Sequence, residues 1–533
     1  MINLARVKRG MYFDSITLMK LARALSQMEG VAEASAVMAT PANLQLLAEA
    51  GLSPMAGLTA EAGSNDVLLI VRASAETYGV AALESAEALL LDSTAEGTVH
   101  RAGEGASDYQ PRSLEEARRM YEQASIAVIS VPGMYAALEA RVALQAGLHV
   151  FLFSDNVSLA DEVALKRLGA QRELLVMGPD CGTALLNGVG LGFANVVPAG
   201  PIGIVGASGT GMQQVMCLLA EAGYGISQAI GCGGRDLSAD VGGATTLQGL
   251  RLLQADEQTR VIVLVSKPPA AEVAELVLTA ATSGNKPVVA AFIGADVSRW
   301  RELYTGKISF AHTLTEAARM ASALCANATQ TDSTLRAPLG PDKAEPGVAL
   351  DARQHIQQPP YIAALFSGGT LCDEALHIWG EQIAPVYSNV PLKPQWMWHE
   401  AETQEGHYAL DMGADEYTRG RPHPMIDPEA RLSYLRAAAS DPLVGVILLD
   451  IVLGYCAHPH PASIYAPLIQ ESLRTASQAG RRLNYVISLC GTARDPQGLT
   501  IQVTLLREAG AEIYTSNAEA AARCLALIHE ARA

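Results

Sequence analysis

The sequence predicts an α/β protein whose several domains are built on parallel β-sheets. Its 533 residues exceed what one hydrophobic core supports, and 49% of them are apolar, which is ample for burial. Short apolar runs such as "IAVISV", "VIVLVS" and "VGVILLD" alternate with helix-like segments. Because strands that are buried on both faces form such continuous runs, this alternation indicates parallel sheets covered by helices.

Residues 1–95 predict a small N-terminal α/β domain. The strand-like runs "VAEASAVMAT" and "DVLLIVRAS" alternate there with the helix-like runs "SITLMKLARALSQ" and "NLQLLAEAG". Residues 96–112 are polar and rich in glycine, so we interpret them as a linker.

Three further α/β units follow this linker. They span residues 113–198, 199–326 and 359–533, and each repeats the alternation of apolar strand and helix. Residues 327–358 carry little periodicity and several glycines and prolines, which predicts a second linker before the last unit.

Charge and composition restrict the classes of partner. The chain holds 38 basic and 55 acidic residues, a net charge of −17, so we expect it to bind neither nucleic acid nor an anionic membrane. The first residues lack the regions of a secretory signal, and no apolar run is long enough to span a bilayer, so we expect a cytoplasmic protein. The eight cysteines form no CxxC pair, which predicts neither disulfides nor a metal site. We interpret them as small core residues.

Glycine-rich turns follow several of the predicted strands. In an open parallel sheet, ligands collect beyond the carboxyl ends of the strands, where helix N-termini offer unpaired N–H groups. Two turns place hydroxyls and glycines at a helix start, which suits a phosphate or a carboxylate. The alternative is structural, because strand-to-helix connections use glycine and an N-cap hydroxyl in any case. The candidate anion-binding residues are Gly206, Ser208, Gly209, Thr210, Gly211, Ser367, Gly368, Gly369 and Thr370.

Two basic residues also follow core strands directly. Lys267 lies in "SKPP", and Arg235 lies in "GGRDL", where its guanidinium would suit a substrate carboxylate. Alternatively, Arg235 pairs with Asp236 and pins its own loop. Together with Ser208 and Thr210, Arg235 and Lys267 form the candidate catalytic set. No dinucleotide fingerprint, P-loop, HExxH or GxSxG motif occurs, so we expect no cofactor.

Three histidines, His423, His458 and His460, lie in proline-bearing loops. Two histidines that are two residues apart are able to ligate a metal, but no third ligand is near in sequence. We therefore interpret all three as exposed loop residues.

Motifs along nearly the whole chain resemble a known family. The segments "KPVVAAF", "GIVGASGTG", "MGPDCG" and "VISVPG" resemble the alpha subunit of succinyl-CoA synthetase, and "LVGVILLDIVLGYC" resembles the carboxyl-terminal domain of its beta subunit. With "MATPAN", "LFSDNVS", "GGRDL", "SGGTLCDE" and "PHPMIDP", they identify the chain as a member of the FdrA family of acyl-CoA synthetase-like proteins. This implies a Rossmann-like CoA-binding-type domain at 113–198, a flavodoxin-like synthetase domain at 199–326 and a second flavodoxin-like, ligase-CoA-type domain at 359–533.

The chain departs from the synthetases in several places. Their phosphohistidine loop has no match, because His312 lacks the flanking glycines, and we interpret His312 as a core or helix-cap residue. No segment resembles the ATP-grasp half of the beta subunit. The resemblance leaves a CoA-type pocket as an alternative site, at the strand ends of the Rossmann-like unit. Its residues are Val131, Pro132, Gly133, Ser154, Asn156, Gly178, Pro179 and Asp180.

The resemblance implies a subunit of oxamate carbamoyltransferase, an enzyme of allantoin catabolism. The reaction converts carbamoyl phosphate and oxamate into oxalurate and phosphate, or the reverse, with partner subunits in an oligomer. In this hypothesis the two glycine-rich turns hold the phosphate, Arg235 holds a substrate carboxylate, and no covalent intermediate forms. The alternatives are an acyl-CoA synthetase or ligase of the NDP-forming type and a non-catalytic scaffold subunit.

Overall fold

The computed structural model divides the chain into two compact units. The first consists chiefly of residues 1–113, and the second of residues 114–418 and 423–533. Most of each predicted linker, 97–110 and 329–358, lies outside the described residues. The described residues are 1–9, 13, 15–40, 43–44, 47, 52, 66–96, 111–328, 359–380, 382–399, 405–418 and 422–532.

The named elements in the described part of the first unit are an antiparallel three-stranded sheet and two helices. Its strand order is β1-β3-β2, so β3 is central. Leu69 and Val71 of β3 pack against the helices, whereas Leu68 and Ile70 lie on the opposite face with Leu52, as the alternation of side chains along a strand requires. These elements confirm the α/β prediction for this region. Their bounds are β1 Ile2–Lys8, α1 Ser15–Ser26, β2 Val31–Met38, β3 Val67–Ala73 and α2 Glu76–Glu96.

The second unit begins with a parallel three-stranded sheet of order β4-β5-β6. Its second helix, α4, buries Ala136, Ala140, Ala143 and Leu144, which recur on one face at helical spacing. The order of strands and helices agrees with the Rossmann-like prediction for this stretch. The bounds are α3 Leu114–Met120, β4 Ile126–Ile129, α4 Gly133–Gln145, β5 His149–Leu152, α5 Leu159–Gln171 and β6 Val176–Met177.

A seven-stranded sheet follows, with the order β13-β12-β11-β9-β10-β7-β8. Strands β9 to β13 are parallel, whereas β7 and β8 form a hairpin that pairs antiparallel with β10. The sheet therefore begins at Thr183, before residue 199, where the sequence analysis places the start of this domain. The bounds are β7 Thr183–Leu186, β8 Val189–Gly192, β9 Ala199–Gly206, α6 Gly209–Glu221, β10 Ile226–Gly231, α7 Ala244–Ala255, β11 Val261–Ser266, α8 Ala271–Thr282, β12 Val288–Phe292, α9 Ser298–Leu303, β13 Ile308–Phe310 and α10 Leu314–Ala328.

The last sheet has six parallel strands in the order β15-β16-β14-β17-β18-β19. Its longest strand, β17, is buried at every position, which explains its nearly continuous apolar sequence. The bounds are β14 Tyr361–Phe366, α11 Gly369–Gly380, β15 Val386–Tyr387, a 3₁₀ turn Pro394–Trp396, β16 His407–Asp411, α12 Asp415–Thr418, α13 Glu429–Ser440, β17 Val444–Val452, α14 Pro461–Gln478, β18 Asn484–Cys490, α15 Leu499–Glu508, β19 Ala511–Tyr514 and α16 Asn517–Arg532.

The seven- and six-stranded sheets share one parallel topology. The order β10-β9-β11-β12-β13 in the first corresponds to β16-β14-β17-β18-β19 in the second. Both are the 2-1-3-4-5 order of flavodoxin-like folds, which confirms the two flavodoxin-like predictions. In this order the chain reverses direction across the sheet beside the first strand, and ligands bind at the carboxyl ends of the strands there. The topology therefore predicts ligand binding at the turns after β9 and β14.

One hydrophobic core joins the two flavodoxin-like sheets. Helices α6 and α10 of the first sheet meet α11 and α16 of the second in this core. Trp379 of α11 is the largest fully buried side chain among the described residues and belongs to this core, and its indole N–H donates to the carbonyl of Ala521 at 2.9 Å. Seven of the eight cysteines are buried, which confirms their interpretation as core residues, and Cys456 is exposed.

None of the helices in the described part of the chain combines the length and the apolar character that crossing a membrane requires.

Replacement of Trp379 tests this shared core. We expect Trp379→Ala to lower the free energy of unfolding by about 3–5 kcal/mol, because it leaves a cavity and removes the partner of the Ala521 carbonyl. Urea unfolding measures the change. Leu276→Ala is the control, because Leu276 is 55% exposed and its loss changes stability little. Equal stability of the two variants would contradict the place of Trp379 in this core.

Candidate functional site

The two glycine-rich turns predicted from sequence meet in the structure. Helix α6 begins at Gly209, directly after β9, and α11 begins at Gly369, directly after β14. The Ser208 hydroxyl donates to Thr370 Oγ1 at 2.6 Å and accepts from the Gly211 amide at 3.0 Å, so it caps α6 and touches α11 at once. The N-termini of two helices from two different sheets therefore lie side by side.

Glycine at two positions permits this close approach. A Cβ atom at Gly368 would lie 2.7 Å from Thr210 Oγ1 across the junction, and one at Gly211 would lie 2.5 Å from Ser208 Oγ of its own turn and 3.2 Å from Thr370 Cγ2 of the other helix. Real side chains do not tolerate the first two of these distances. The glycines that the sequence analysis assigned to anion binding thus also allow the two helix starts to touch.

Four backbone amides at this junction have no hydrogen-bond acceptor among the residues that the structure describes. They belong to Gly209 and Thr210 of α6 and to Gly369 and Thr370 of α11. The first N–H groups of a helix have no partner within the helix, and the helix dipole places positive charge beside them. These amides therefore form a ready environment for a small anion.

Ser367 and Gly368 have a different partner. Their amides donate to the Asp450 carboxylate at 2.7 and 2.8 Å, and the Ser367 hydroxyl donates to it at 2.9 Å. Asp450 and Arg431 are both buried, and Arg431 Nη2 donates to Asp450 Oδ1 at 2.8 Å. The Arg431 guanidinium also donates to the carbonyls of Asp450 and Leu365. The donors of Ser367 and Gly368 thus hold an internal carboxylate, unlike the four amides that follow them.

A carboxylate and an ammonium group face the start of α11. A Cβ atom at Gly369 would lie 2.5 Å from Asp411 Oδ2 and 3.3 Å from Lys267 Nζ. Asp411 ends β16, and Lys267 follows β11, so three strand ends converge on Gly369. Burial raises the pKa of Asp411 to about 6, although the positive charge of Lys267 and the Gly413 amide oppose the rise. Burial likewise raises the pKa of Asp373, the fifth residue of α11.

The expectation that all three loop histidines are exposed is wrong for His423 and His458. The His423 ring is half-buried, because its loop packs against Phe193 (5.5 Å between ring centres) and against Gly413. Burial lowers the pKa of His423 to about 4, so the ring is neutral near pH 7. His458 is half-buried and lines a small cavity with Arg431, whereas His460 is exposed. Among the described residues, no group of three or more His, Cys, Asp or Glu side chains is arranged to hold a metal.

Within the part of the chain that the structure describes, Arg235 makes no hydrogen bond to the residues of the two helix starts; its partners are Glu162 and Val157. Its Nε donates to Glu162 Oε2 and its Nη2 donates to the carbonyl of Val157, both at 2.8 Å. The alternative pairing of Arg235 with Asp236 is wrong, because Asp236 accepts instead from Lys166 Nζ at 2.6 Å. The side chains of Arg235 and Asp236 have different partners, so their adjacency in sequence does not make them an ion pair.

The turns of the CoA-type pocket lie together at the carboxyl ends of β4, β5 and β6. The Val131–Gly133 turn packs against the backbone of Asp155 and Asn156, and the Asp180 amide donates to the Ser154 carbonyl at 3.0 Å. Asp180 reaches solvent, yet the surrounding protein and the negative charge of Asp155 raise its pKa to about 7. Pro132 precedes α4, and the Gly178–Pro179 peptide is cis.

His312 lies just before α10. Its backbone amide donates to Glu316 Oε2 at 2.8 Å, and its ring nitrogen lies 2.9 Å from Arg301 Nη2. His312 is exposed and lies two residues before the helix, whose capping hydroxyl is that of Thr313, so its interpretation as a core or helix-cap residue is wrong.

Sequence reasoning missed Asp411, Asp450 and Arg431. The signal for the two acids was an Asp at or near the end of an apolar strand, in "HYALD" and "VILLD". A buried charge needs a partner, so an acid in such a run marks a built interaction. The partners themselves come from distant parts of the chain, and sequence spacing does not identify them.

Comparison with family models gives matches over three parts of the chain. The description "CoA-ligase" matches residues 365–527, "CoA binding domain" matches residues 199–294, and "AllF, heavy metal-associated domain" matches residues 1–107. The first two descriptions cover the helix starts of α11 and α6, and they support an acyl-CoA synthetase or ligase-like fold of the NDP-forming type. The CoA-binding description falls on residues 199–294, within the unit for which the resemblance implies a flavodoxin-like synthetase domain, and not on the Rossmann-like unit at 113–198.

The residues of the N-terminal unit do not fit a heavy-metal site. Residues 1–107 contain no cysteine and a single histidine, His100, which lies outside the described residues. Soft metal ions prefer thiolate ligands, which this region does not supply. We derive no metal chemistry for this unit.

Solved structures with a similar arrangement include PH0766 from Pyrococcus horikoshii OT3, at 13% identity and a TM-score of 0.34 over 81% of this chain and 88% of the other. A dinucleotide-forming acetyl-coenzyme A synthetase 1 from Ca. Korarchaeum cryptofilum matches at 14% identity and a TM-score of 0.32 over 80% of this chain and 88% of the other.

Curated relatives fall into two groups. The succinate–CoA ligase [ADP-forming] subunit alpha of Staphylococcus epidermidis is 28% identical over 190 residues, 35% of this chain and 61% of that subunit. The "Uncharacterized protein YahF" of Escherichia coli (strain K12) is 38% identical over 517 residues, 96% of both chains. That identity over nearly the full length shows that the chain belongs to the same family as YahF, the FdrA family that its motifs indicate.

Proposed function

We propose that the chain catalyses acyl transfer between phosphate and an acceptor, the acyl-phosphate part of a CoA-ligase-type reaction. The observation that carries this proposal is the contact between the N-termini of α6 and α11, marked by the 2.6 Å hydrogen bond from Ser208 to Thr370. In such a reaction an acyl phosphate gives its acyl group to the acceptor, and phosphate leaves with the electrons of the broken C–O bond.

The electrostatics of the junction suit that leaving group. Each helix start carries roughly half a positive charge, and an anion there gains about 0.3–2 kcal/mol per helix. The amides of Gly209, Thr210, Gly369 and Thr370 offer fixed donors to phosphate oxygens. Because these donors are already oriented, they stabilise charge that develops on phosphate without reorganising.

The proposed acceptor is the thiol of CoA. The CoA-binding and CoA-ligase family descriptions and the succinate–CoA ligase relatives support this choice. The turns at Gly133, Asn156 and Asp180 are the proposed CoA-type pocket, because they form one edge at the carboxyl ends of three parallel strands.

Carbamoyl transfer is the second candidate. The contact between Ser208 and Thr370 and the proximity of Lys267 favour a small anionic donor and acceptor, and carbamoyl phosphate and oxamate fit that description. The same four amides would hold the phosphate of carbamoyl phosphate. This proposal includes partner subunits, as the resemblance to oxamate carbamoyltransferase implies.

A proline at position 209 tests the phosphate site. Ser208 is extended (φ −154°, ψ 108°), as a residue before proline should be, and position 209 is the first of the helix, where proline is tolerated. We expect Gly209→Pro to weaken the binding of inorganic phosphate by about 10–100-fold, because it deletes one amide donor to a charged ligand. Isothermal titration calorimetry measures the change.

Gly209→Ala is the matched control for that variant. It adds the same Cβ atom but keeps the amide, and that Cβ would lie 3.2 Å from Thr183 Oγ1, a contact that a small shift relieves. We expect phosphate binding near that of the wild type. If the proline and alanine variants bind phosphate equally, the amide of residue 209 does not contact phosphate.

The two acceptors are distinguished by binding and by turnover. We expect CoA to bind the purified chain with a micromolar Kd, and acetyl phosphate to be consumed when CoA is added. Calorimetry and a phosphate-release assay measure these two results. Absence of CoA binding, together with phosphate-dependent cleavage of oxalurate by the chain and its partner subunits, would replace the first candidate with the second.

A further inference from the structure

Asp411 is fixed beside the proposed phosphate site. The Asp411 amide donates to Asn389 Oδ1 at 2.9 Å, and Asn389 Nδ2 donates to the Asp411 carbonyl at 3.0 Å. The Gly413 amide donates to Asp411 Oδ1 at 3.1 Å. The side chain is 6% exposed, yet Oδ2 receives no hydrogen bond from any residue that the structure describes. One carboxylate oxygen is therefore held in place and left available to a ligand.

The free oxygen points to the start of α11. Only a glycine at position 369 permits its approach, because a Cβ atom there would lie 2.5 Å from Oδ2. Lys267 Nζ lies 3.3 Å from the same point, and the described residues show no ion pair between Lys267 and Asp411. A carboxylate, an ammonium group and the free amides of Gly369 and Thr370 thus surround one position.

We infer that Asp411 exchanges a proton with the acceptor of the transfer reaction and that Lys267 holds the negative charge of a ligand opposite it. This inference rests on the proposed function. As the acceptor's nucleophilic atom bonds to the carbonyl carbon, its proton passes to Asp411 Oδ2. The C–O bond to phosphate breaks, and phosphate leaves with that electron pair. In the reverse direction Asp411 returns the proton.

The surroundings of Asp411 set its basicity. Burial and the carboxylates of Asp450 and Asp373 raise its pKa, Lys267 and the Gly413 amide lower it, and the result is a pKa of about 6. Asp411 is therefore mostly ionised above pH 6, and its pKa lies close to the operating pH that favours general base catalysis. The other groups near Asp411 are the Cys372 thiol, the His423 ring beyond Gly413 and the Asp180 carboxylate.

The test compares full-length wild type with Asp411→Asn and uses inorganic sulfate as a probe, because sulfate keeps its charge across the pH range. In the wild type, sulfate binding weakens as the pH rises through about 6, because ionised Asp411 repels the anion. Asp411→Asn lacks this part of the pH dependence and binds sulfate about 5-fold or more tightly at pH 7.5. The charges of both Asp411 and Asp415 raise the pKa of Asp180, which is about 7, so Asp415→Asn reproduces any effect that passes through Asp180, and the difference between the two variants isolates Asp411.

Turnover supplies a second readout. General acid–base catalysis contributes about 10²–10⁴-fold, so kcat of Asp411→Asn falls by that factor while KM for the acyl phosphate stays equal or falls. A merely structural role would not tighten anion binding and slow turnover together. Asp415→Asn is the control, because it removes one negative charge from the exposed α12, four residues along the chain. It leaves sulfate binding and turnover unchanged.

The outcomes separate this inference from the proposed function. Failure of the wild type to bind sulfate would overturn the phosphate site, and the role of Asp411 with it. Sulfate binding that responds to pH identically in wild type and Asp411→Asn would overturn the role of Asp411 alone. Unchanged kcat in Asp411→Asn would do the same.

Discussion

The buried ion pair between Asp450 and Arg431 is the constraint on which the candidate site depends. Asp450 accepts the amides of Ser367 and Gly368, and Arg431 neutralises it while binding the Leu365 carbonyl. The desolvation of two charges costs several kcal/mol, so such a pair persists only where further hydrogen bonds complete it. Its carboxylate fixes the first two amides of the turn, so the next two, at Gly369 and Thr370, are the ones left without an acceptor among the described residues.

The repeated topology explains why two helix starts can share a site. Each flavodoxin-like sheet places a strand-to-helix turn at its switch point, after β9 in one and after β14 in the other. The common core around Trp379 packs the two sheets so that these turns touch. Either turn alone offers only the amides of one helix start. The pair offers donors from two helices to one tetrahedral anion.

Local pattern predicted the fold units and both turns, but not their relation. The apolar runs and the glycines of "GASGTG" and "SGGT" are encoded over a few residues, so they were readable from sequence. The contact between Ser208 and Thr370 joins residues far apart in the chain and depends on how the helices pack. Conversely, residues that are adjacent in sequence need not pair: Arg235 binds Glu162, and Asp236 binds Lys166. Asp411 escaped notice because only the tertiary structure brings Gly369 to it.

Net charge and local charge act on different scales in this protein. A chain with a net charge of −17 repels anions at long range, but salt screens that repulsion beyond about 10 Å. At the junction, Arg431 and three hydrogen bonds satisfy Asp450, and Lys267 faces Asp411. The charges of these neighbouring side chains nearly cancel, so the positive ends of α6 and α11 dominate the field on a ligand in contact with them. An anion that reaches this junction meets a local field opposite in sign to that of the whole molecule, which makes affinity depend on a few fixed donors and on the protonation of Asp411.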